Sequence, residues 1–88
     1  MNQHRRSWFW LRDGEDIGRA LADIRRDEGL TQVQLAARVG IERTTLLNLE
    51  AGRNAAVNRV IGIFGILGYD LVAVPRGARV SVQQDDAA

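Results

Sequence analysis

A chain of 88 residues, 45% hydrophobic and without cysteine, makes one small domain whose core has no disulfide to assist it. Its formal charge is +1, and one histidine with no thiol leaves neither a metal-ligand set nor a nucleophile–base pair, so no cofactor, metal or catalysis is expected. No apolar run approaches the roughly 20 residues that span a bilayer, and Trp8 to Leu11 is too short for a signal-peptide core, which predicts a cytoplasmic protein without membrane contact.

Charge is unevenly spread. Residues 1–12 hold Arg5, Arg6 and Arg12 and no acid, whereas residues 13–29 hold six acids against Arg19, Arg25 and Arg26. Residues 30–68 turn positive again, with Arg38, Arg43, Arg53 and Arg59 against Glu42 and Glu50. Basic charge in an arm and a central segment, with acid kept to one helix, suits a surface that meets nucleic acid. The arm, residues 1–12, contains His4-Arg5-Arg6-Ser7-Trp8-Phe9-Trp10. Three roles are open to it. Basic arms enter DNA minor grooves, Arg6, Trp8, Phe9 and Trp10 have the chemistry of a protein-partner anchor, and a tryptophan folded back would cover a small core.

The first helix starts near Asp13 to Asp16, where acids favour a helix N-terminus. Ile17, Leu21 and Ile24 form its apolar stripe, and it ends at Gly29. Thr31 caps a second helix, Gln32 to Val39. Leu35 and Val39 point inward from it, and Ala36 leaves room where another helix crosses. Gly40 makes the turn, because a left-handed backbone is cheap only without a Cβ. The third helix runs from about Arg43 to Ala51 and stops at Gly52, with Ile41, Leu46 and Leu49 plugging it onto the second. That leaves Arg43, Thr44, Thr45, Leu47 and Asn48 facing outward, in the manner of a helix that enters a major groove. Arg43 is a candidate bidentate donor to guanine, worth roughly 1–3 kcal/mol of discrimination. Glu50 suits an internal pair with an arginine, since phosphates would repel it.

A fourth helix is expected from about Ala55 to Leu67. Val57, Val60, Ile61, Phe64 and Leu67 share an arc that closes the core, while Ile63 and Ile66 extend the apolar surface beyond it. A helix apolar over most of its circumference is buried on more than one side, which predicts a dimer interface through Ile63 and Ile66. Gly62 and Gly65 fit either close approach of another backbone or simple tolerance. Tyr69-Asp70-Leu71-Val72-Ala73-Val74 then favours a strand that Pro75 blocks. A lone strand needs a partner, and pairing with a second copy through Tyr69, Leu71, Val72 and Val74 is favoured over pairing with residues 7–11. The expected organisation is an arm (1–12), a helical domain (13–68), a dimerisation strand (69–75) and a flexible tail (76–88).

With these residues in line, the chain resembles the Xre family of helix-turn-helix proteins, the phage Cro and repressor type, from Ile17 to about Leu67. The resemblance lies in Gly29-Leu30-Thr31-Gln32, Leu35-Ala36, Gly40-Ile41, Thr45-Leu46, Leu49-Glu50 and Gly52-Arg53. The ending Leu67-Gly68-Tyr69-Asp70-Leu71-Val72-Ala73-Val74-Pro75 is similar to antitoxins of the HipB type, whose dimers share a two-stranded sheet. It implies an all-α, lambda-repressor-like domain of four short helices with a C-terminal strand paired across a homodimer. It also implies a repressor of its own operon that binds double-stranded operator DNA and a HipA-like kinase toxin; a free-standing regulator without a toxin is the alternative. By position, Gln32 matches a phosphate contact, Arg43, Thr44 and Thr45 match base contacts, and Asn48 and Arg53 match contacts to the DNA backbone. Leu47 departs from the pattern, which usually has a serine there facing DNA.

Overall fold

The computed structural model describes residues 8–53 and 56–83, so the expected role of Arg6 lies outside the described residues. Four helices follow one another: α1 (Gly14–Asp27), α2 (Gln32–Val39), α3 (Arg43–Glu50) and α4 (Val57–Ile66). Their bounds follow from local chemistry. The Asp13 side chain accepts from the Asp16 backbone N–H at 2.8 Å and opens α1. Thr31 and Gln34 cap each other reciprocally at the start of α2, at 3.1 and 2.9 Å. Gly40 ends α2 at φ 85°, where its N–H and that of Ile41 both reach the Ala36 carbonyl, at 2.9 and 3.0 Å. No helix among the described residues is long and apolar enough to cross a membrane.

The core is built from every helix. Leu21, Ile24, Leu35, Leu46, Leu49 and Ile63 are fully buried, with Ala20, Ala36, Val60, Phe64 and Leu67 beside them. α3 packs against both α1 and α2, and its contact with α1 is backbone on backbone. A Cβ built at Gly18 would stand 2.3 Å from the Glu50 carbonyl oxygen, and one at Gly14 would stand 2.6 Å from that of Gly52. Only glycine permits this approach, so the N-terminal half of α1 sets the position of the end of α3.

α4 corrects the expected helical phase. Val60, Ile63, Phe64 and Leu67, spaced i, i+3, i+4 and i+7, face the core. Val57 and Ile61 are instead exposed at 69% and 47%, and Ile66 at 46%. Ile63, at 0% exposure, is a core residue and offers nothing to a second copy. Two stripes of helical spacing overlap in an all-apolar helix, and sequence contrast cannot choose between them. The remaining outward apolar surface is Val57, Ile61 and Ile66.

No strand occurs among the described residues, and the segment 69–74 has no regular secondary structure. A strand exists only when a second backbone completes its ladder, and the described residues of one copy offer none. Tyr69 turns back instead, with its ring edge-on to Phe9 at 6.2 Å, and both pack against the core. Leu71, Val72 and Val74 remain exposed. The fold-back expected of a tryptophan is not seen: Phe9 and Leu11, not Trp8 or Trp10, pack against the core. Trp8 and Trp10 meet edge to face, with ring centroids 5.3 Å apart, and the Arg12 guanidinium lies 4.6 Å above the Trp10 ring.

Candidate nucleic-acid interface

The turn at Gly40 sets α3 across α2 with Leu46 and Leu49 driven inward, so the opposite side of α3 is turned out. Arg43, Thr44 and Leu47 on that side are exposed, while Thr45 and Asn48 are half-buried. None of the side chains of Arg43, Thr44 and Thr45 has a hydrogen-bond or ion-pair partner among the described residues. Asn48 and Arg53 are joined at the far end: the Arg53 Nη1 donates to Asn48 Oδ1 at 3.1 Å, and the Arg53 N–H to the Asn48 carbonyl at 2.8 Å. The expected outward residues therefore share one surface.

Beneath this surface lies a buried polar knot. Arg25 Nε and Nη2 donate to the two carboxylate oxygens of Glu50 at 2.7 and 3.1 Å, a bidentate pair. The two side chains are only 10% and 7% exposed. Arg25 Nη1 donates to the Leu30 carbonyl at 2.9 Å, and Gln32 Nε2 donates to Glu50 Oε1 at 3.0 Å. The Arg25–Glu50 pair thus ties α1, the loop before α2, the first residue of α2 and the last of α3. Charges taken out of water are tolerable only when paired and hydrogen-bonded in this way, and no buried side-chain polar atom of the described residues lacks a partner.

Gln32 is consequently held. One amide hydrogen is spent on Glu50, leaving the other hydrogen and the amide oxygen for a partner outside the domain. The internal arginine pair expected for Glu50 is present, and its partner is Arg25. Sequence reasoning missed Arg25 and the small residues that lead to it. Gly14, Gly18, Ala22 and Arg25 fall on one stripe of α1, and a small-residue stripe ending in a charged residue was the available signal for close helix approach.

Two short helices joined by a tight turn, the second with a row of polar side chains free of internal bonds, define a helix-turn-helix DNA-binding domain. A family model described as a helix-turn-helix domain matches residues 16–64, and the chain belongs to that family. One chain of the solved HipA-HipB-O2-O3 complex is similar, with a TM-score of 0.68 at 21% identity. That match covers 78% of this chain and 99% of the other. At such identity the likeness is one of fold, and it agrees with the resemblance to Xre proteins of the HipB type. No curated protein matches the sequence.

Proposed function

We propose that this chain is a sequence-specific transcriptional repressor that acts as the antitoxin of a toxin–antitoxin pair, binding a HipA-like kinase toxin and repressing its own operon as a homodimer. The observation that carries DNA reading is the row Arg43, Thr44 and Thr45, free of internal bonds among the described residues, on a helix whose last residue is fixed by the Arg25–Glu50–Gln32 knot. These side chains read base edges, with Arg43 bidentate to guanine. Gln32, Asn48 and Arg53 hold the phosphates on either side and fix the register. In the dimer, two α3 helices enter successive major grooves about 34 Å apart. Its interface is formed by Ile61 and Ile66 of α4 with Leu71, Val72 and Val74, all exposed in the single chain. The toxin partnership is supported by likeness of fold to a chain of the HipA-HipB-O2-O3 complex.

A free-standing regulator is the second reading. It is favoured by the arm, whose Phe9 and Leu11 pack against the domain's own core and so are not left for a partner.

Selection of bound duplexes from a random pool tests the DNA reading. An enriched near-palindrome with half-sites one helical turn apart supports it, and unenriched recovery rejects it. On the selected site, Arg43→Ala is expected to weaken binding about 5- to 150-fold while leaving non-specific affinity nearly unchanged; equal losses on both remove Arg43 from base readout. Nuclease-treated purification of the tagged chain from its host then decides between the two regulator readings. A stoichiometric kinase-like protein supports the antitoxin, and recovery of the chain alone supports the free-standing form.

A further inference from the structure

We infer that Leu47 is a specificity-determining residue that selects thymine, by packing on the 5-methyl group exposed in the major groove; this rests on the DNA-binding reading above. α3 has three leucines, and two of them, Leu46 and Leu49, fill the core at 0% and 2% exposure. Leu47 stands apart at 41% exposure and takes no part in the buried cluster. It follows Arg43 by four residues and Thr44 by three, so the three side chains are neighbours on one surface of the helix. The protein therefore places one large apolar side chain in the middle of the row that meets the groove.

That side chain can neither donate nor accept a hydrogen bond. Among base edges in the major groove, adenine, guanine and cytosine present nitrogen and oxygen groups, and only thymine presents a methyl. Leucine against that methyl buries apolar surface on both sides. Leucine against a polar edge strips water from groups that it cannot satisfy. Preference and rejection then act in the same direction, and no hydrogen bond is needed at this position.

The test replaces each thymine of the selected operator, one at a time, with deoxyuridine, which removes the methyl and nothing else. Wild type is expected to lose about fourfold in affinity at one thymine of each half-site, the worth of one buried methyl. Leu47→Ala is expected to lose nothing at that thymine, while keeping its sensitivity to Arg43→Ala in the double variant. Leu47 is outside the core, so circular dichroism of Leu47→Ala should match wild type. Identical deoxyuridine profiles for the two proteins overturn the assignment. If wild type selects an operator but is indifferent to every deoxyuridine, Leu47 falls and DNA reading stands; if no sequence is selected, both fall.

Discussion

The Glu50 carbonyl oxygen occupies the place that a side chain at Gly18 would need: a Cβ there would lie 2.3 Å from it, with the Leu49 carbonyl oxygen at 2.8 Å. Neither atom can step aside, because both belong to the backbone of α3. Gly18→Ala should therefore cost about 1–3 kcal/mol from overpacking, against roughly 1 kcal/mol of gained helix propensity. The net effect is a loss of up to about 2 kcal/mol, seen as a Tm lower by up to about 15 °C in a thermal melt. Gly65→Ala is the control, since nothing lies within 4 Å of a Cβ at that position. The same substitution should raise Tm there, and a fall would mean that a second copy is seated on α4.

The Arg25–Glu50 pair is a second point of failure. Arg25→Met leaves a carboxylate buried with only Gln32 to satisfy it, a loss expected at about 3–5 kcal/mol in urea denaturation. Glu50→Leu alone should do comparable harm by orphaning the guanidinium. The double variant should recover much of the loss, because the cost lies in the unpaired charge. Additive losses would show that the pair is not coupled.

Acid should loosen the start of α1 before the core. The Arg12 backbone N–H, donating to Asp16 Oδ2 at 2.9 Å, and the Arg19 guanidinium at 2.7 Å hold the Asp16 carboxyl below its ordinary value. A carboxyl whose pKa is depressed on folding contributes stability above the unfolded value, and that contribution is lost as pH falls through the folded one. Asp16→Asn should therefore melt below wild type at neutral pH, with the gap closing below about pH 4. A gap that does not change with pH would mean that charge at Asp16 is immaterial.

Two isoleucines three positions apart separate folding from association. Ile66→Glu places a carboxylate on the exposed side of α4 and should leave the helical spectrum intact while halving the mass seen by light scattering. Ile63→Glu buries the same group in the core and should abolish cooperative unfolding. An unchanged dimer mass for Ile66→Glu would exclude this surface as the interface.

Much of the fold was legible because it is written in short-range chemistry. Asp13, Thr31 and Gly40 mark boundaries through capping and a left-handed turn, and all three do so in the structure. Leu35 and Leu49 contrast with polar neighbours, and Leu46 lies three residues before Leu49, so their inward direction could be read. α4 failed where contrast vanished: from Val60 to Gly68 every residue is apolar or glycine, and Ile63 could not be told from Ile61. The strand failed for a different reason, since Tyr69 has the propensity but its direction is decided by Phe9, sixty residues earlier in sequence. At the candidate site, the outward residues of α3 were readable from the helical period. Which arginine pairs with Glu50 was not, because the reach of Arg25 depends on how closely Gly18 lets α1 approach α3.

The side chains of Arg43 and Thr44 are exposed and have no hydrogen bond among the described residues, while the knot that fixes α3 holds it by Glu50, at its other end. Reading head and chassis are thus separable. Successive substitutions at these positions can redirect a duplicated copy to a new target without passing through an unfolded intermediate, so this architecture can diversify in small steps.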